Sequence, residues 1–209
     1  MNTAIDHIIL ASANLQSLTQ EVKATARVEP AIGGRLLGQG VKNNLLGLGE
    51  GQYLELLGPD PEQEEVEQPL FGLDALEAPR IIGWAVRTDD ISAAAAACIS
   101  AGYNPGEVRE MSRKRPDGSI LQWRMTPPDQ TRDSAHPFLI EWGQTPHPSQ
   151  EIAGIDLLEF RLHHPEPAAL SKVFAALEVL EEPGLKISQG PASSLELAVK
   201  TPAGEKTLP

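Results

Sequence analysis

The order strand, helix, hairpin strands recurs along this chain, and such a recurrence constrains the fold more than any single motif. Residues 5–11 form a short apolar run rich in isoleucine, which predicts a buried strand. Asn14 is a predicted helix N-cap, followed by Leu15, Leu18, Val22 and Ala26 at helical spacing. Residues 44–48 and 52–57 read as strands joined by Gly49-Glu50-Gly51, a compact hairpin connection. The order returns at residues 81–87, then at Asp89-Asp90 capping an alanine-rich helix that closes at Gly102. A hairpin over 108–125 turns at Pro116-Asp117-Gly118, and residues 138–142 form a last strand. A weaker third copy has a strand at 157–162, a helix at 167–180 with Leu170, Val173, Phe174 and Leu177 on one face, and a hairpin around Pro202-Ala203-Gly204. Alternating strands, helices and antiparallel hairpins predict an α+β fold with helices layered on curved mixed sheets.

Composition narrows the function classes. With 41% hydrophobic and 22% charged residues, a packed core is within reach. The formal charge of −12, from 17 basic and 29 acidic side chains, argues against nucleic acid as a partner. Cys98, the one cysteine, excludes an internal disulfide framework and a multi-cysteine zinc site, and suits a reducing compartment. It lies on the apolar stripe of an alanine-rich helix, where a buried, inert thiol is expected. No run approaches the roughly 20 apolar residues that span a bilayer, so no membrane partner is expected. Residues 1–7 lack a basic region followed by an apolar one, so the expected location is cytoplasmic.

Two linkers separate the units: an acidic, proline-containing stretch at 59–79, expected to be solvated, and 144–150. His136, His147, His163 and His164 fall in proline-rich turns and read as surface residues. Gly47, Gly49 and Gly51 alternate through a hairpin and open no helix, so a phosphate loop is not supported.

Two tandem βαβββ units, each ending in a strand with a central carboxylate, resemble the vicinal-oxygen-chelate superfamily of glyoxalases, extradiol dioxygenases and bleomycin-resistance proteins. The detail resembles its glyoxalase-like domain branch. The matching segments are 5–11, Gly33-Gly34-Arg35, 43–46 and 53–56 in the first unit. In the second they are 83–90, Arg115-Pro116-Asp117-Gly118, Trp123-Arg124 and 137–142. The resemblance implies modules at 1–60 and 80–143 that curl into half-barrels around a shared cavity, with 152–209 as a partial third module. It also implies a divalent metal (iron, manganese or zinc) held by the first and last strands of each unit. Transferred to this chain, the metal ligands would be His7, Glu55 and Glu141. The remaining position falls on Gly83, which has no side chain to ligate with.

The resemblance further implies a small-molecule ligand as partner, in a monomer or homodimer. Asn44, Tyr53, Trp84 and Arg124 are the candidate substrate-binding residues. Asn44 is a pocket amide or a strand-edge polar residue. Arg124 either forks a substrate carboxylate or phosphate, or joins cross-strand charge pairs on a solvent face. Two functions stay open. One is a lyase, isomerase or oxidoreductase that acts on a small oxygenated molecule with metal assistance. The other is a metal-free protein that binds and sequesters its ligand, as bleomycin-resistance proteins do.

Overall fold

The computed structural model describes residues 1–63, 66, 72–128 and 133–208. Twelve strands and three α-helices are found among them. The first eight strands are β1 (Thr3–Ala11), β2 (Ala31–Leu36), β3 (Val41–Gly49), β4 (Gln52–Pro59), β5 (Arg80–Thr88), β6 (Arg109–Lys114), β7 (Ile120–Met125) and β8 (Phe138–Glu141). Helices α1 (Leu15–Ala26) and α2 (Ile91–Ser100) follow β1 and β5. The C-terminal part adds β9 (Asp156–His164), α3 (Pro167–Ala176), β10 (Leu185–Gln189), β11 (Ser194–Thr201) and β12 (Gly204–Leu208). The mixed α+β class expected from the sequence is the one observed. No helix among the described residues is long and apolar enough to cross a membrane.

The helices begin where their caps predict. The Asn14 side chain accepts the Ser17 N–H, and the Asp90 carboxylate accepts that of Ala93. Leu15, Leu18, Val22 and Ala26 then fall on one buried face of α1. Helix α3 ends four residues before the sequence pattern does. Glu178 takes a left-handed φ of 57°, and the buried Leu177 and Val179 continue the apolar spacing beyond the helix.

Strands β1 to β8 close a barrel in the order β1-β4-β3-β2-β6-β7-β8-β5. Each run of four places its first strand parallel to its last, β1 with β4 and β5 with β8. Closure comes from the antiparallel β1–β5 pair and a short β2–β6 seam, Arg35 with Lys114 and Leu36 with Arg113. Strand alternation divides the side chains into two cores. Ile9, Ala11, Val41, Leu57, Trp123, Met125, Phe138 and Ile140 pack inside the barrel. Ile8, Leu10, Leu54, Leu56, Trp84 and Leu139 point outward, beneath the helices and the C-terminal sheet.

That sheet has the order β10-β9-β11-β12. It repeats the element order of each barrel half but not the pairing. Strand β9 lies parallel to β10, directly after its helix, and antiparallel to β11. Hydrophobic periodicity specifies elements, whereas pairing depends on how the loops let the strands dock. The sheet and α3 cover the outer face of the barrel. Trp84, fully buried, meets Phe160 and Phe174 edge-on at 5.5 and 5.1 Å. The Gly47 N–H donates to the Ala153 carbonyl at 2.9 Å and the Ile155 N–H to the Gly47 carbonyl at 3.0 Å, tying β3 to the chain entering β9. A Cβ on Gly154 would stand 2.5 Å from the Gly47 oxygen, so only glycine permits that approach.

Candidate functional site

The barrel interior is apolar except for one polar band built mainly from three strands. On β4, Tyr53, Glu55 and Leu57 point inward, and on β1 so do His7, Ile9 and Ala11. On β3 the inward positions include Val41 and Asn43. Strand β6 adds Met111 and Arg113. His7, Asn43, Tyr53, Glu55 and Arg113 line a cavity of about 40 Å³ together with Trp123, Phe138 and Trp142. That is room for two or three waters.

A local irregularity in β1 organises this band. Ile5 pairs with Val86 and His7 with Ala85, so Asp6 is an extra residue, a β-bulge. Strict strand alternation would put Ile5, His7 and Ile9 on one face, and the bulge breaks it. Ile5 joins the outer core, and His7 and Ile9 face inward. Asp6, with no exposed surface, accepts hydrogen bonds from His7 Nδ1 at 2.5 Å, His147 Nε2 at 2.8 Å and Trp142 Nε1 at 3.0 Å. Burial pushes the Asp6 pKa up, but the bonds from His147 and His7 and their charge hold it well below the usual carboxylate range. Ser149 N–H donates to His147 Nδ1 at 3.3 Å, which directs the Nε2–H of His147 at Asp6.

With Nδ1 held by Asp6, His7 turns Nε2 toward Glu55 Oε2 at 3.5 Å. The other Glu55 oxygen accepts from Asn43 Nδ2 at 2.5 Å, and Asn43 Oδ1 accepts from Arg113 Nη1 at 3.2 Å. Tyr53 stacks on His7 with ring centroids 4.8 Å apart. Burial, with Asp6 and Glu55 nearby, pushes its phenol well above its ordinary pKa, so it is a neutral hydrogen-bond donor. Gly33 allows this packing, since a Cβ there would lie 2.1 Å from Asn43 Oδ1.

The structure brings together His7, Tyr53 and Glu55 but not the other residues singled out in the sequence. Glu141 follows the inward Ile140 and faces out; both its oxygens lie 2.7 Å from Arg124 Nη2, and one caps α2 at the Ile91 N–H. Arg124 is the cross-strand partner of Glu141, alternates with the inward Trp123 and Met125, and is paired on the outer surface. Trp84 lies in the outer core, its Nε1 donating to the Ala135 carbonyl. Asn44 points out of the barrel and donates to Thr19 Oγ1 on α1. His147 and His164 are not surface residues either: each is largely buried and bonded to an aspartate, Asp6 and Asp133. Glu64, Glu65 and Glu67 of the acidic linker lie outside the described residues; Glu62 is exposed and pairs with Arg35.

Asp6, Asn43, Arg113, Trp142 and His147 were not among the candidate site residues. For Arg113 a signal was present: it shares a face of β6 with Met111, opposite Glu110, Ser112 and Lys114.

Residues 5–178 match the sequence profile of a glyoxalase-like domain. The chain belongs to the glyoxalase-like domain family. It is therefore a vicinal-oxygen-chelate protein, as the resemblance implied. No curated protein sequence matches it. Among solved structures, a hypothetical protein from Staphylococcus aureus is 15% identical, with 92% of this chain and 88% of that one covered and a TM-score of 0.67. That likeness is one of fold. A methylmalonyl-CoA epimerase from Streptomyces coelicolor, in complex with 2-nitronate-propionyl-CoA, is 21% identical over 68% of this chain and 95% of its own, at a TM-score of 0.42. The Mycobacterium tuberculosis methylmalonyl-CoA epimerase is 20% identical over 66% and 87%, at 0.40.

The donor set of this glyoxalase-like barrel does not fit a resident divalent metal. His7 Nε2 and Glu55 Oε2 make two donors, and protein metal sites are normally built from three or more. Among the described residues, no three His, Cys, Asp or Glu side chains converge. The second half presents Phe138, Ile140, Gly83 and Ala85 to the interior, and Arg113 adds a buried cation.

Proposed function

We propose that the barrel interior binds a small oxygenated organic molecule without a metal, and that His7, oriented by Asp6, moves a proton on it. The observation that carries this reading is the convergence of five polar side chains, His7, Asn43, Tyr53, Glu55 and Arg113, in an otherwise apolar closed barrel. Burying such groups costs several kcal/mol unless each is partnered, so a fold selected for stability alone would fill the band with aliphatic residues. A carboxylate on Nδ1 fixes the imidazole tautomer and its orientation and leaves Nε2 to accept a proton, the arrangement of a general base. Tyr53 and Asn43 supply donors for a carbonyl or developing enolate oxygen. Residues 1–60 and 80–143 act as two modules that each supply half of the lining, and 152–209 as a partial third that covers the outer face. A reducing, cytoplasmic setting suits the single buried cysteine.

The test is a thermal-shift screen of oxygenated metabolites, followed by NMR of each hit in D₂O. The expected result is a stabilising ligand whose acidic C–H exchanges with solvent on wild-type protein and not on His7→Gln. A ligand that binds without exchange would move the assignment to the sequestering role. A screen in which no compound stabilises the wild type more than His7→Gln and Glu55→Gln would refute the interior as a ligand site.

A further inference from the structure

Arg113 is the one cation inside the barrel among the described residues, and its bonding is incomplete. It is 4% exposed, and its Nη1 donates to Asn43. Its Nε–H is buried with no partner. A buried donor left unpaired is costly, more so on a charged group, so a site that keeps one is arranged for an acceptor that arrives with a ligand. Glu55 does not serve as that acceptor: one of its oxygens takes the Asn43 amide and the other faces His7. The cavity that Arg113 lines is small, about 40 Å³, and the planar head of a carboxylate suits the fork that a guanidinium presents through Nε–H and Nη–H.

The interior does not end there. Phe138 and Pro128 wall both the barrel cavity and a second chamber of about 520 Å³. That chamber lies between β5 and the C-terminal sheet. It is bounded by Gly83, Ile82, Tyr103, His136 and Leu195. Gly83 lines the chamber next to Phe138, and a Cβ there would meet nothing nearer than Phe138 Cε1 at 4.0 Å, so the missing side chain leaves open space on the chamber side of Phe138. The chamber wall is firmly held. Asp133 takes hydrogen bonds from His164 Nε2 at 2.9 Å and Ser193 Oγ at 2.5 Å, and His136 stacks on Tyr103 at 4.4 Å.

We infer, building on the interior ligand site proposed above, that the ligand is a carboxylic acid whose carboxylate enters the barrel against Arg113 and whose body passes Gly83 into the chamber. The family's metal position is thus served by a guanidinium, which neutralises the carboxylate and holds the adjoining carbon near His7. The length of the ligand is set at Gly83, and its charge at Arg113.

The experiment is calorimetric titration of the whole chain with acetate, 4-methylpentanoate, phenylacetate and 4-phenylbutanoate, each beside its neutral amide. Assignment of the bound site uses NMR shifts of His7 and the Trp123 indole. Charge-assisted bonds to a buried guanidinium predict that the longer acids bind at least about tenfold tighter than their amides. Arg113→Met should abolish that preference. Gly83→Val should weaken the longer acids and leave acetate unchanged. Should Arg113→Met not fold, Arg113→Lys, which keeps the charge but lacks Nε–H, must still lower acid affinity. Acids and amides binding alike while His7 shifts would overturn the carboxylate assignment and leave the interior site intact. Longer acids that bind no tighter than acetate, or that ignore Gly83→Val, would overturn the passage into the chamber. If no compound moves His7 or Trp123, the interior site itself falls, and this inference with it.

Discussion

Replacing Asp6 by asparagine tests the core of the site most directly. Asp6 has no exposed surface and accepts from three donors, His7, His147 and Trp142, on residues up to 141 positions away. An asparagine offers one oxygen in place of two and turns an NH₂ toward a second N–H donor. It also removes the charge that both imidazoles face. Removing one partner of a buried charged network costs about 3–5 kcal/mol. For a chain of 209 residues that is a fall in Tm of roughly 6–20 °C. The effect depends on pH in a specified direction. The folded-state pKa of Asp6 is depressed, so its contribution is fully present above the unfolded value of about 3.9 and is lost as pH falls through the folded one. Urea denaturation of wild type and Asp6→Asn at pH 7 should differ by about 3–5 kcal/mol, and the gap should narrow below about pH 4. A variant with unchanged stability at pH 7, or a gap that stays constant down to pH 3, would refute the account of Asp6 as an ionised tie.

Gly33→Ala should destabilise the chain by about 1–3 kcal/mol, measured by urea denaturation, because its Cβ would lie 2.1 Å from Asn43 Oδ1. Cys98, buried and with its thiol pushed up to about 12 by burial, should not react with a disulfide reagent at pH 8 until the protein is unfolded. Truncation after Gln150 should bare Trp84 and its neighbours on the outer barrel face, giving a species that aggregates on size-exclusion chromatography. A truncated chain that stays monomeric with the same Tm would show that the C-terminal sheet is dispensable to the barrel.

Much of the architecture was legible residue by residue. Asn14 and Asp90 start their helices because an Ncap oxygen satisfies a free N–H wherever the helix stands. The strands declare themselves by alternation, and His7, Tyr53 and Glu55 stand out as polar residues on otherwise apolar faces. Of the two roles open to Arg124, the phase set by its inward neighbours Trp123 and Met125 already favoured the cross-strand charge pair that is observed. Glu141 is different. Phe138, Leu139 and Ile140 are apolar on both faces, so nothing in that strand reveals which way the next residue points until the barrel closes.

The sequence by itself determined what is periodic and local: the elements, their caps, the α+β class and the family. The tertiary structure decided which side chains meet. In the sequence Asp6 is one residue of the apolar run 5–11, with no pattern that marks it. It becomes the centre of the site only because a one-residue bulge turns it inward and barrel closure brings His147 and Trp142 to it. The same closure across the two-pair β2–β6 seam sets Arg113 beside Asn43, 70 residues earlier in the chain. Neither contact leaves a periodic trace, because each is made between elements whose own patterns are satisfied without it.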